Sequence, residues 1–367
     1  MTLERAITVI EIGIVHFVRN SPSKSLQPSP WAPLLRCYRP AERKDEHMNL
    51  SQIKKHAIAH KLTDSRDEWL KQRNKGLGGS DAGAVLGLSP YKSPYTLWAE
   101  KTGLIDSHIP DNEAMRVGRD LEQYVADRFS EATGLKVQRS GYSFQSKEHP
   151  WMLGNVDRLI VGENAGLECK TANALTKTDY SGGDIPAAYY AQCYHYMAVT
   201  GADAWYIAIL VMGKGFHWFR IERDEDEIQA LVEAEKEFWD RVQTKEAPDP
   251  DGSDSTSETL AKLYPESFDE EAKLDYMEDT LQTREALEAK IKELTAQKKE
   301  LDAQLKEEMK TAQKGICGLY SITWKTQKRT SFDKESYRED HPDEYTEYLT
   351  TTTTRPFVVR KRKGARA

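Results

Sequence analysis

Apolar positions in the middle of this chain repeat with two periods that alternate along it. In MRVGRDLEQYVADRFSEATG, Val117, Leu121, Val125 and Phe129 recur every four residues, the stripe of an amphipathic helix. The segments KVQRSGYSFQ, MLGNVDRLIV and GLECKTA follow as strands, the last two joined by the turn-like GENAG. Upstream, before SPYKSPYTLWAEKTG, SDAGAVLG predicts a short helix with Ser80 as N-cap and Gly87 as its stop. Downstream, Pro186 opens a helix through AAYYAQCYHYMAVTG, AWYIAILVM and GFHWFRIE supply two strands, and DEIQALVEAEKEFWDRVQ closes the unit. Helices alternating with strands from Asp67 to about Val242 predict an α/β domain, taken here as residues 48–243.

The flanks differ. Residues 1–47 join an isolated apolar stretch to the Pro/Ser-rich SPSKSLQPSPWAPLL and are expected to be a poorly ordered extension, with Met48 as the expected natural start. The apolar AITVIEIGIVHFV is interrupted by Glu11, is too short to span a bilayer and precedes no signal-peptide cleavage pattern. Residues 244–267, acidic and rich in Pro, Gly and Ser, read as a linker. Beyond it, Leu274, Met277, Leu281, Leu287, Ile291, Leu294, Leu301 and Leu305 are spaced mostly by three or four. Lys298 interrupts that seam, which predicts a long helix packing intermittently instead of a sustained coiled coil. GLYSITWKTQKRTSF and RPFVVRKRK predict strands of a small unit that completes residues 268–367.

A net charge of −7 over 367 residues argues against indiscriminate coating of nucleic acid, but not against a groove lined by basic residues. RDEWLKQRNKG and VVRKRKGARA are candidates for such a lining, although solvated surface charge is the plainer reading of each run alone. Cys37, Cys169, Cys193 and Cys317 are widely spaced with no CxxC pair, so neither a disulfide frame nor a zinc or iron–sulfur cage is indicated. A reducing cytoplasm is expected.

The candidate chemistry lies in GNVDRLIVGENAGLECKTANA. Asp157 stands eleven residues before Glu168, and Glu168 two before Lys170, so on a strand Glu168 and Lys170 leave the same face. Two carboxylates are hard oxygen ligands suited to Mg²⁺, which in such a cluster activates water and stabilises charge on a phosphodiester. An ExK triplet alone is equally a surface hairpin with a solvated ion pair. Leu167 and Cys169 alternate with the charges, however, which places them on a strand whose other face is buried. This points to a nuclease.

Three motifs occur in order between Trp69 and Gly201: RNKGLGGSDAGAVLGLSPYKSP, GNVDRLIVGENAGLECKTA and AAYYAQCYHYMAVTG. Together they resemble the YqaJ-type viral recombinases, a lambda exonuclease-like family within the PD-(D/E)XK nuclease superfamily; the "PD" is here Val156-Asp157. The resemblance implies a restriction-endonuclease-like α/β core, a central mixed sheet flanked by helices. It implies Asp157 and Glu168 as metal ligands with the Cys169 backbone carbonyl a third, and Lys170 positioning or deprotonating the attacking water. A lysine held beside Mg²⁺ is expected to have a depressed pKa. Glu122 looks like the helix-borne acid of a second metal position, or else a solvent-facing helix residue.

Gln192 and Tyr189, three apart on the predicted helix, share a face that the family directs at the active site and the DNA end; Tyr189 is equally a core residue beside Tyr190, Tyr194 and Met197. Arg73 and Ser80, seven apart, resemble the residues that hold a terminal 5′-phosphate, since a helix start after Gly78-Gly79 offers free N–H groups and Arg73 a bidentate fork. The plain alternative is an ordinary N-cap and a surface charge. His195 and His217 are assigned no chemistry.

The resemblance implies a Mg²⁺-dependent deoxyribonuclease, with one or two ions that Mn²⁺ can replace. Its expected work is digesting double-stranded DNA ends from 5′ to 3′ and leaving 3′ single strands for an annealing protein of phage-type recombination. A homotrimer is the expected assembly. The alternatives are a RecB-type or restriction-type nuclease of other polarity or endonucleolytic mode, and a non-catalytic DNA-end or partner-binding protein.

Overall fold

The computed structural model describes residues 50–62, 72–107 and 112–361. The expected N-terminal extension with Met48, parts of both basic runs, Trp69 and Cys37 lie outside these residues. The chain divides into one compact unit ending at Pro265 and a second from Glu266 onward.

The first unit opens with helix α1 (Leu50–His56), strands β1 (Ala57–Lys61) and β2 (Leu77–Gly78), and helices α2 (Gly79–Val85), α3 (Pro94–Lys101) and α4 (Glu113–Thr133). Strands β3 (Val137–Gln138), β4 (Tyr142–Ser146), β5 (Met152–Gly154), β6 (Arg158–Ile160) and β7 (Ala165–Ala172) follow. Helix α5 (Ala187–Thr200), strands β8 (Ala204–Val211) and β9 (Gly215–Glu222), and helices α6 (Glu225–Thr244) and α7 (Asp254–Leu263) complete it. The α/β class is as expected.

The strands form two sheets where one was expected. A five-stranded mixed sheet has the order β3-β6-β7-β8-β9, parallel only between β7 and β8, and a four-stranded sheet has the order β1-β4-β5-β2. Two segments read as single strands change sheet midway. KVQRSGYSFQ breaks between β3 and β4, where Gly141 takes φ +69°, a conformation most other residues resist. MLGNVDRLIV breaks at Asn155–Asp157, leaving Asp157 at the junction between the sheets.

The larger sheet is covered on both faces. Against one face α4 buries Val125 and Phe129 on Leu167, Tyr206 and Ala208, the predicted stripe. Against the other, α5 packs Met197 on Trp205, Ile207 and Ile209. Helix α4 begins at the Asn112 cap, whose side chain accepts from Met115 N, and stops at Gly134 in the left-handed region. Helix α2 lies close on α5 because its facing positions are glycines four apart: a Cβ on Gly83 would come within 2.8 Å of Ala188 Cβ, and one on Gly79 within 2.6 Å of the Tyr196 ring.

The expected linker is shorter than 244–267. Helix α7 occupies part of it and docks on α3 through hydroxyls: Thr96 Oγ1 lies 2.8 Å from Thr259 Oγ1, and Thr256 Oγ1 donates to Ser93 Oγ at 2.8 Å. A Ser/Thr-rich composition that reads as linker here satisfies buried polar groups.

In the second unit a 3₁₀ turn (Asp275–Met277) leads into α8 (Glu278–Met309), then β10 (Lys314–Cys317), β11 (Tyr320–Thr323), α9 (Lys334–Asp340) and α10 (Pro342–Glu347). The long helix and a strand over Tyr320–Thr323 are as expected, while β10 precedes the segment read as strand; Met309 is the one buried residue of α8, and its apolar seam is otherwise exposed. The described part of RPFVVRKRK forms no strand, and α9 and α10 were not foreseen. Among the described residues no helix is long and apolar enough to cross a membrane.

Candidate active site

Glu168 and Lys170 leave β7 on the side of α5, opposite to Leu167, because side chains alternate along a strand. Their flanking strand is apolar: Glu168 is in register with Ile207 and Lys170 with Ile209 of β8. Lys170 Nζ donates to Glu168 Oε1 at 2.6 Å and to Gln192 Oε1 at 2.9 Å, and Gln192 Nε2 donates to the same Glu168 oxygen at 2.7 Å. A closed triangle of carboxylate, ammonium and amide results. Tyr189 covers it, its ring centroid 5.1 Å from Lys170 Nζ.

Asp157 enters from the sheet junction, its Oδ2 accepting from Cys169 N at 2.8 Å. Burial, then the neighbouring Glu168 charge, raises its pKa well above the usual carboxylate range despite that hydrogen bond. Glu168 Oε2 is buried with no hydrogen-bond partner among the protein groups. Two carboxylates pressed together with an orphaned buried oxygen suit a divalent cation, which removes both penalties. Asp157, Glu168 and the Cys169 carbonyl are the oxygens that could hold such an ion, a small hard set of the kind Mg²⁺ takes alongside retained waters. Among the described residues, no cluster of three or more His, Cys, Asp or Glu side chains stands ready as a metal cage.

Burial pulls the Lys170 pKa down, but the Glu168 charge and hydrogen bond outweigh it and push it up to about 12; the depression expected beside bound Mg²⁺ concerns the metal-loaded site. Glu122 meets an arginine. Arg158 pairs with Leu167 across β6 and β7, so it lies on the α4 side and takes the Glu122 carboxylate into an ion pair. The same guanidinium donates to Asp157 O at 2.7 Å and Gln123 Oε1 at 3.1 Å. Glu122 therefore faces inward, ion-paired to Arg158, and its charge also acts on Asp157, helping to raise that carboxyl's pKa.

The first motif gathers a second cluster. Arg73 Nη2 donates to Ser80 Oγ at 2.7 Å and lies 3.5 Å from Asp81 Oδ1, while Lys101 Nζ meets Asp81 Oδ2 at 2.8 Å. Burial would raise the Asp81 pKa, but Lys101 and Arg73 together hold it far below the usual carboxylate range. Ser80 is not the N-cap: Gly78 is, and Asp81 at the third helical position accepts from Gly78 N at 3.0 Å. The Ser80 hydroxyl is thereby left to Arg73.

Tyr196, not singled out in the sequence, joins the two clusters. It accepts from Gln192 Nε2 at 3.0 Å, donates to Asn155 O at 3.0 Å, and receives Gly79 against its ring. Its place one helical turn after Gln192 was the available signal. His195 was also passed over. Its Nδ1 lies 2.7 Å from Glu235 Oε1 and its Nε2 2.9 Å from Leu153 O, all of the histidine buried.

A two-sheet α/β core holding a paired-carboxylate and lysine site defines the class of protein. A family model for the YqaJ-like viral recombinase domain matches residues 68–203. A Bacillus subtilis (strain 168) protein named YqaJ is 39% identical over 306 residues, covering 81% of this chain and 95% of its own length. The chain belongs to the YqaJ-like viral recombinase family. It is also similar to the solved alkaline exonuclease LHK-Exo from Laribacter hongkongensis (18% identity, TM-score 0.41, 54% of this chain and 100% of that one). A phage-related exonuclease from Haemophilus somnus 129PT is a further likeness (13%, TM-score 0.35, 46% and 96%). Both TM-scores are below 0.5, so membership rests on the sequence matches.

Proposed function

We propose that this protein is a metal-dependent deoxyribonuclease that digests double-stranded DNA ends from 5′ to 3′ and leaves 3′ single strands for an annealing protein. The observation that carries this reading is the convergence of Asp157, Glu168, Lys170 and Gln192, with Glu168 Oε2 buried and unpartnered. A pure DNA binder gains nothing from two carboxylates set against phosphate.

A divalent cation held by Asp157, Glu168 and the Cys169 carbonyl would supply charge neutralisation at the scissile phosphate and a more acidic water. The Lys170 ammonium orients the attacking water and offsets charge on the phosphate, and Gln192 holds the Glu168 and Lys170 heads in register. Arg73 and Ser80 are the proposed seat of the terminal 5′-phosphate, with Lys101 keeping Asp81 from repelling it.

Linear duplex DNA labelled at either end, incubated with and without Mg²⁺ beside a closed circular control, tests the reading. Mg²⁺-dependent release of label from 5′ ends, with circles intact, is expected. Cleaved circles would favour a restriction-type nuclease, release from 3′ ends a RecB-type polarity, and no degradation under any divalent ion would reject the nuclease.

A further inference from the structure

Helix α8 carries a strict seven-residue repeat. Residues 287–307 read LEAKIKE, LTAQKKE and LDAQLKE, with Leu, Ala, Lys and Glu at the same places in every heptad. Leu287, Leu294 and Leu301 take the d positions and Ile291, Lys298 and Leu305 the a positions, while the repeated alanines fall on the opposite face. A straight α-helix turns such a stripe by about 20° per heptad, so this spacing keeps the leucines in line only for a helix wound left-handed about another. No such helix covers them among the described residues: Leu287, Ile291, Leu294, Leu301 and Leu305 are between 47% and 63% exposed.

The seam matches a second copy of itself. Laid parallel and in register, two α8 helices set each of those five apolar side chains against its own counterpart, with Lys298 the one polar layer among them. Lys298 Nζ already reaches outward to Asp302 Oδ2 at 2.7 Å, so its methylenes fill the layer while the charge leaves it. The flanking positions then face Lys290 with Thr295 and Gln297 with Asp302 across the seam, opposing no like charges. Antiparallel pairing in its best register instead lays Lys298 on Leu294 and opposes Glu288 to Asp302. Leucine at every d position with isoleucine at a favours two strands over three or four.

We propose that residues 287–307 are a docking surface for a second copy of this chain, joined through a parallel two-stranded coiled coil. Lys298 fixes the register, because a slip of one heptad buries it against Ile291 or Leu305. The inference goes beyond the nuclease reading and does not depend on it. All the seam leucines are exposed, so changing them leaves the fold of the single chain nearly untouched.

The test is the mass of the full chain by sedimentation equilibrium over a range of concentrations, with cooperative melting of the first unit as the check on folding. The wild-type chain should be a dimer and Leu287→Glu/Leu294→Glu/Leu301→Glu a monomer. Ala289→Glu/Ala296→Glu/Ala303→Glu, which adds the same charges to the opposite face, should stay a dimer. Leu294→Cys in a Cys37→Ser/Cys317→Ser background should close a disulfide between chains on mild oxidation, and the parent background should not, since parallel pairing in register opposes the two copies of position 294. A monomeric wild type, an assembly that the leucine variant leaves intact, or equal dissociation of both glutamate variants would overturn the docking surface. A trimer dissolved by the leucine variant would overturn the two-stranded pairing, and a dimer that fails to cross-link would overturn its register.

Discussion

The Tyr196 ring fills the space a side chain on Gly79 would need, its nearest ring carbon 2.6 Å from the position of a Cβ. Because the Tyr196 hydroxyl also bonds Gln192, crowding at Gly79 is transmitted to the Glu168–Lys170 pair through two hydrogen bonds. Gly79→Ala must displace the ring or the helix, an overpacking cost of about 1–3 kcal/mol. The expected result is a lower melting temperature together with a kcat/KM for duplex digestion reduced about tenfold to a hundredfold. A variant with wild-type kinetics would show that the two clusters are mechanically independent.

Lys170→Ala should abolish Mg²⁺-dependent digestion, by about a thousandfold or more, while duplex binding persists. The removed ammonium leaves Glu168 and Asp157 facing each other with less compensation, so binding of the divalent ion itself, read by calorimetry, should remain or tighten. Undiminished cleavage would refute the assignment of Lys170.

At Arg73 the fork matters as well as the charge. Arg73→Lys keeps a cation beside Asp81 but loses the planar donor that reaches Ser80. The expected outcome is a loss of preference for 5′-phosphorylated over 5′-hydroxyl ends by about tenfold to a hundredfold, the worth of a charge-assisted hydrogen bond. Digestion measured on matched substrates decides it, and an unchanged ratio rejects the phosphate seat.

What the sequence made legible was local. Glu168 and Lys170 share a face by the two-residue period of a strand, and Gln192 joins them from a helix whose limits Pro186 and Gly201 mark. What it hid depends on contacts distant along the chain. The break at Asn155–Asp157 follows from a change of sheet, and the ion pair of Glu122 follows from Arg158 emerging on the α4 side. Ser80 reads as an N-cap because caps are commonly serine, but Asp81 bonding back to Gly78 moves the cap two residues earlier. Helix α7 escaped notice because its Ser/Thr-rich surface is matched by hydroxyls on α3, a complementarity with no periodic signature.

Every residue assigned to the site belongs to the unit that ends at Pro265. A chain truncated after Pro265 should therefore digest duplex DNA within about twofold of the full chain, since a unit with its own core can fold and act alone. The exposed Leu287, Ile291 and Leu294 of α8 are better suited to association than to catalysis. Loss of digestion in a truncated chain that still melts cooperatively would place part of the active site beyond Glu266.

His195 supplies a pH dependence of stability separate from catalysis. Both ring nitrogens face acceptors, Glu235 Oε1 and Leu153 O, so the fully bonded state is the imidazolium. Burial alone would lower its pKa, but the Glu235 charge and hydrogen bonds outweigh burial and raise it above the ordinary value of 6.5. A raised folded-state pKa means the native protein holds the proton longer than the unfolded chain does. Its stabilisation is therefore complete below about 6.5 and disappears as pH climbs from there through the raised value. Urea unfolding across that interval should show the midpoint falling with pH, and His195→Gln, which cannot carry the charge, should be destabilised by about 3–5 kcal/mol at acid pH with a much flatter profile. A wild-type profile as flat as that of the variant would mean the ring is neutral in the folded protein, and the ion pair joining α5, α6 and β5 would have to be abandoned.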